Sequence, residues 1–203
     1  LRGHMLKRSL LGLAGALLLI PSTSFAASKA PHDSFYFSAS LGLGYLNAHA
    51  KGDGDPFVPI DTTASGVPVV GALMVGGTPS PRLILGVGSI LSYSPLTWQQ
   101  SEVIGVEDTT SYFGTLTGPF IDHYFSEAVG VHGRLLAGFA TLQPHGGSFA
   151  AGYGAALTLG KDWRSSDEWT LGVAATLQYS YTHGGSANTT TWLPALTFDM
   201  NFR

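Results

Sequence analysis

Phe35-Tyr-Phe-Ser-Ala-Ser-Leu-Gly-Leu-Gly-Tyr-Leu46 sends Phe35, Phe37, Ala39, Leu41, Leu43 and Tyr45 to one side of an extended chain. Tyr36, Ser38, Ser40, Gly42 and Gly44 go to the other. Successive strand side chains point to opposite faces, so unbroken alternation reads as a β-strand. The run is longer than the usual soluble strand of about five or six residues. Segment 169–181 repeats the pattern, with Trp169, Leu171, Val173, Ala175, Leu177, Tyr179 and Tyr181 opposite Thr170, Gly172, Ala174, Thr176, Gln178 and Ser180. In 149–160, Phe149, Ala151, Tyr153, Ala155, Leu157 and Leu159 face away from Gly152, Gly154, Ala156, Thr158 and Gly160.

Working outward from these three, the period predicts eight strands, at 35–46, 64–76, 81–93, 110–122, 127–141, 148–161, 168–182 and 189–202. Pro68 and Pro119 fall inside two of them and mark bulges or boundaries, because proline cannot donate to a ladder. The first four gaps alternate long (47–63), short (77–80), long (94–109) and short (123–126); the remaining turns are 142–147, 162–167 and 183–188. An even strand count then puts both ends of the chain on the side of the short turns.

The two faces differ in a way that separates lipid from water. One carries Leu, Val, Phe and Tyr; the other is mostly Gly, Ser, Thr and Ala with few charges, a poor solvated exterior but a good narrow lumen. The chain has 203 residues, is 44% hydrophobic and only 11% charged, and contains no cysteine, so closure must come from backbone pairing. Lipid demands that every backbone group be paired, and a closed barrel does this without an edge. The expected fold is all-β: a closed antiparallel transmembrane β-barrel of eight strands preceded by a signal peptide. A soluble ligand-binding barrel is the alternative.

Aromatic residues gather at the expected strand ends. Phe35, Phe37, Phe120, Tyr124, Phe125, Trp163, Trp169 and Phe202 lie at the short-turn end; Tyr45, Tyr93, Trp98, Tyr112, Tyr179, Tyr181 and Trp192 lie at the other. Two girdles suit amphipathic rings at membrane–water interfaces. At the start, Lys7 and Arg8 precede an apolar run from Leu10 to Ile20 and a small-residue cleavage site after Ala26. This reads as a secretory signal peptide, too short to span a bilayer as a helix. The expected organisation is therefore 1–26 targeting segment and 27–203 barrel. Residues 27–203 carry seven basic and thirteen acidic side chains, a net charge of −6, unlike a nucleic-acid binder.

The final strand ends with Phe198, Met200 and Phe202 alternating on the apolar face. This resembles the C-terminal signal of outer-membrane proteins, with Arg203 as one extra residue beyond the aromatic. The turn Gly160-Lys-Asp-Trp-Arg-Ser-Ser-Asp-Glu-Trp-Thr-Leu-Gly172 is also similar to a periplasmic hairpin of small bacterial outer-membrane β-barrels. The resemblance covers 35–203 and implies residence in the outer membrane of a diderm bacterium. It also implies contact with outer-membrane lipid and lipopolysaccharide, and handling by periplasmic chaperones and the barrel-assembly machinery.

His132, Arg134, Gln178, Asp199 and Asn201 are expected to point into the lumen. They read as a polar network, with Arg134 paired to a carboxylate because an unpaired buried charge is costly; a pore-selectivity role is the competing reading. Asp53 and Asp55 lie in a Gly-rich loop, but Pro56 and Phe57 break the calcium-loop pattern, so no metal and no cofactor are expected. His123, His145 and His183 have serines nearby (Ser126, Ser148, Ser186) without a recognisable catalytic spacing. The expected role is structural or surface-interacting and non-enzymatic. A narrow porin-like channel is second and a lipid-modifying enzyme third.

Overall fold

A computed structural model describes residues 35–52, 60–101, 107–126, 129–145, 148–185 and 187–202. The targeting segment and the acids Asp53, Asp55 and Glu102 lie outside the described residues, as does Arg203. Ten strand segments follow in order: β1 (Phe35–Gly44), β2 (Leu46–Gly52), β3 (Ile60–Gly66), β4 (Val69–Ser80), β5 (Leu83–Ser101), β6 (Glu107–Ser126), β7 (Val131–Pro144), β8 (Ala150–Arg164), β9 (Trp169–Gly184) and β10 (Ala187–Phe202). β1 and β2 run as one strand, with one register against β10. β3 and β4 run as one strand with one register against β1 and β2, although their pairing with β5 shifts by one residue between Gly66 and Val69. Each of the resulting eight strands pairs antiparallel with the next, and β1–β2 closes the ring on β10. The described ends meet there, with Phe37 opposite Phe202.

The two interruptions share a cause. Tyr45 N–H donates to Pro194 O at 2.9 Å, and Gly44 N–H donates to Pro68 O at 3.0 Å. Neither proline can return the bond, so the ladder loses a rung on each side of one level of the barrel. Pro68 thus sits between β3 and β4, whereas Pro119 lies inside β6, opposite Val87.

Sequence periodicity placed the strand ends too early on the side away from the termini. Residues 47–52, 60–63, 94–101 and 107–109, read as loop, are strand. Within 123–126, read as a turn, β6 continues to Ser126 and the turn includes Val129 and Gly130, whose φ of 71° suits glycine. Likewise β4 reaches Ser80, and Asp162 to Arg164 belong to β8 rather than to a turn.

Side-chain direction follows the expected alternation. Leu41 (66% exposed), Leu43, Val87, Leu157 and Phe198 cover the outside, while Tyr36, Leu116, Leu136 and Leu193 are buried inside. Polar residues on the outer wall answer one another: Ser89 Oγ and Thr117 Oγ1 lie 2.8 Å apart across β5 and β6, as hydrocarbon requires. Described aromatics form two bands. At the termini end Phe35, Trp169 and Phe202 pack together, with ring centroids at 6.4 and 5.2 Å from Phe202. At the other, Tyr179 meets Trp192 at 4.8 Å and Tyr153 meets Tyr181 at 5.6 Å, with Tyr45 and Tyr93 exposed at a similar level. Phe120, Tyr124 and Tyr112 are corrections: they share the inward parity of Leu116 and are buried, so they belong to the lumen and not to a girdle. The side chain of Trp98 lies outside the described residues.

Above the second band the sheet continues. β5 runs eight residues past Tyr93 to Ser101, roughly 26 Å of strand at about 3.3 Å per residue. β3 follows it from Gly66 opposite Thr97 to Thr62 opposite Ser101. This extension, with β2 and the start of β6, stands on the side away from the described termini.

Candidate functional site

The lumen has three levels. Nearest the termini is a buried polar network centred on Asp122 of β6. Arg134 of β7 donates from Nε to Asp122 Oδ2 at 2.9 Å, and its Nη2 lies 2.8 Å from the same oxygen as an ion pair. His132 Nδ1 donates to Asp122 Oδ1 at 2.8 Å. Arg134 Nη2 also donates to Tyr36 Oη at 2.8 Å, and Tyr36 donates to Asn201 Oδ1 at 3.1 Å. Asn201 Nδ2 and Tyr124 Oη then donate to Asp162 Oδ2, at 3.0 and 2.5 Å. The Tyr124 ring stacks on His132 at 4.8 Å, and the Phe120 ring lies 5.6 Å from the guanidinium carbon. Every member is at least 95% buried; such networks stand only when nearly every group is satisfied.

His132, Arg134 and Asn201 are thus brought together. Asp199 is buried nearby and accepts a bond from Thr197 Oγ1 at 2.7 Å. Gln178 also points inward, but on a higher level, outside the network; its Oε1 has no hydrogen-bond partner among the described residues. Asp122, Asp162, Tyr36 and Tyr124 complete the network and were absent from the candidate set. Asp122 had been placed at a strand end, Asp162 in a turn and Tyr124 in a girdle. Continuing the alternation from Phe120 to Asp122 and Tyr124, and from Gly160 to Asp162, would have turned all three inward.

Two glycines make room for the network. A Cβ on Gly160 would run into His132 Nε2, and one on Gly172 would run into Asp162 Oδ1. These two atoms lie 3.6 Å apart across the same small space. Gly160→Ala is therefore expected to displace the His132 ring and cost about 1–3 kcal/mol, the range for inserting a methyl group into a packed interior. Urea unfolding of the refolded barrel would show it; an unchanged midpoint would mean the ring moves aside freely.

The middle level is apolar. Leu46, Val70, Met74, Ile90, Leu116, Leu136 and Leu193 converge from most of the strands, each no more than 5% exposed. An eight-stranded barrel is just wide enough for side chains to fill it, and here they do. The lumen is therefore not the uniformly small and polar bore that β1 and β9 suggest.

The upper level is an open cup of about 270 Å³ at the end of the barrel away from the described termini. Ala48, Ala50, Thr62 and Ala64 form one wall, Ala150, Gly184, Ala187 and Thr189 another, and Tyr112 and Leu142 lie towards its floor. Outside, on the face above the aromatic band, His49 Nε2 lies 2.7 Å from Asp61 Oδ1, and His183 Nδ1 lies 2.8 Å from Asn188 Oδ1. His123 faces outward at the opposite end, its ring 5.7 Å from that of Phe125. Among the described residues no group of three or more His, Asp or Glu side chains is placed to hold a metal ion.

No protein-family model matches the chain, and no curated protein matches it. Among solved structures, neisserial surface protein A aligns over 85% of this chain and 99% of its own, with a TM-score of 0.54 and 14% identity. The outer membrane protein OprG from Pseudomonas aeruginosa aligns over 85% and 98%, with a TM-score of 0.49 and 13% identity. At such identities the likeness is one of fold: this chain folds as the small outer-membrane β-barrels do. That fold and an outer wall of exposed Leu, Val and Phe side chains suit a barrel set in a membrane.

Proposed function

We propose that this outer-membrane barrel is a non-conducting, non-enzymatic surface protein whose working part is its external end. The observation that carries the reading is the apolar middle of the lumen, where Leu46, Val70, Leu116, Leu136 and Leu193 leave the interior packed. A packed core resists water and ions as any protein interior does. The lipopolysaccharide of the outer leaflet is the proposed partner around the rim. Lys51 and His49 share the outer face of β2 beside Asn188 and Thr190, and the ring pairs Tyr179–Trp192 and Tyr153–Tyr181 lie next to them. Basic groups answer phosphates, and aromatic rings suit the interface. The Phe198, Met200 and Phe202 series is the proposed handle for the assembly machinery.

Conductance in planar bilayers tests the reading: refolded 27–203 is expected to give no unitary current steps at constant pH. Steady steps of uniform size would overturn it in favour of the second reading, a narrow channel for small solutes. That reading draws on a strip of buried polar atoms, Gln178 Oε1, Thr182 Oγ1 and Thr191 Oγ1, without partners among the described residues. Acyl analysis of lipid A and phospholipid with and without expression addresses the enzymatic alternative, and unchanged chains are expected.

A further inference from the structure

The cup at the external mouth is a blind one. Tyr112 (8% exposed) and Leu142 (7%) lie low in it; one inward step further down come Leu46, Gly114 and Ala140, and Leu116 follows below Gly114, all buried. A molecule entering the cup leaves by the same opening, which is the geometry of binding and not of passage.

The lining sets the chemistry of an occupant. Among the described residues it holds no charged side chain, so an ion would lose water with nothing among them to replace it. The hydroxyls of Thr62, Ser148 and Thr189 stand against the methyl groups of Ala48, Ala50, Ala64, Ala150 and Ala187, with the Tyr112 ring below. Hydroxyls both donate and accept, and an aromatic face packs against flat apolar surface. The volume, about 270 Å³, falls below the roughly 300–1,000 Å³ of drug-sized pockets and fits one ring. A second observation points the same way. Thr182, next below Gly184 on β9, and Thr191, next below Thr189 on β10, are 1% and 4% exposed, and the Oγ1 atom of each has no hydrogen-bond partner among the described residues. Unanswered buried hydroxyls are unusual; these two sit directly under the polar wall of the cup.

We infer that the external mouth binds a small, uncharged, hydroxyl-bearing single-ring compound, its hydroxyls answered by Thr62, Thr189 and Ser148 and its apolar face laid on Tyr112 and Leu142. A pyranose and a phenol share this chemistry, and the two arms of the test tell them apart.

The full barrel, refolded in micelles with methyl-labelled alanine, would be titrated with glucose, with phenol and with the anion benzoate while methyl NMR shifts are followed. Saturable shifts confined to Ala48, Ala50, Ala64, Ala150 and Ala187 are expected with one neutral probe, with at least tenfold weaker binding of benzoate. Ala50→Phe, which fills the cup, is expected to abolish them; Ala64→Phe serves the same purpose should the first variant fail to refold. No saturable shift with either neutral probe, equal binding of benzoate, or binding untouched by the folded variant would each overturn the assignment. None of these outcomes bears on conductance, so the surface-protein reading stands or falls separately.

Discussion

Replacing Arg134 with methionine should lower the barrel's unfolding free energy by about 3–5 kcal/mol, the range for stripping one partner from a buried ion pair. The size of the loss comes from what remains. Asp122 is fully buried and would keep only the His132 Nδ1 bond of the two it now accepts, with no cation left beside it but that ring. Tyr36 Oη would lose a donor at the same time, and Asp162 and Asp199 remain buried near by without the guanidinium. Removing both partners, as in Asp122→Leu with Arg134→Met, takes away the orphaned charge too, so the double variant should recover most of the loss. Reversible urea unfolding, followed by tryptophan fluorescence in vesicles, measures both. A double variant that loses the sum of the two single changes would show that Asp122 and Arg134 are not coupled.

Leu41→Arg should cost about 2–4 kcal/mol, the depth-dependent penalty for a cation facing hydrocarbon near the bilayer midplane. Leu41 lies between the band at Phe35 and that at Tyr45, and it is 66% exposed. In a water-soluble barrel so exposed a leucine would accept arginine within about 0.5 kcal/mol. The same unfolding measurement therefore separates lipid from water at a single position. A near-zero change would sink the transmembrane assignment of this face, whatever the fold.

Both tests probe features of unequal legibility in the sequence. The alternation of Phe35 to Tyr45 and of Trp169 to Tyr181 was readable because each outward position meets lipid and each inward one meets a narrow lumen, so the two faces differ in composition. Above the external band that contrast vanishes. Lys51, Asp61, Thr62, Thr63, Gln99 and Gln100 lie in β-structure, yet nothing apolar marks them, since water bathes the outer wall and the cup opens inside. Ladder bonds and a few polar pairs such as His49 with Asp61 hold that part, and ladder bonds leave little trace in residue type. Asp122, Tyr124 and Asp162 were obscured differently. Carboxylates and tyrosines near a chain reversal read as turn or interface residues, and their burial depends on β6 and β8 continuing past the expected ends. The middle of the lumen escaped because its apolar side chains come from β2, β4 to β7 and β10, one or two per strand, and converge only once the ring closes.

The level marked by Pro68 and Pro194 works as a perforation. Each proline withholds an amide hydrogen from the strand carrying Gly44 and Tyr45, so disorder that begins at the rim reaches a line of weakened pairing. Below that line it meets strands bonded on both sides. Local opening follows such boundaries, and units on either side of them come apart separately. The rim can thus lengthen, shorten or change its residues over generations while the membrane ring keeps its register. A lineage can rewrite what the barrel shows to the outside without re-solving how it crosses the membrane.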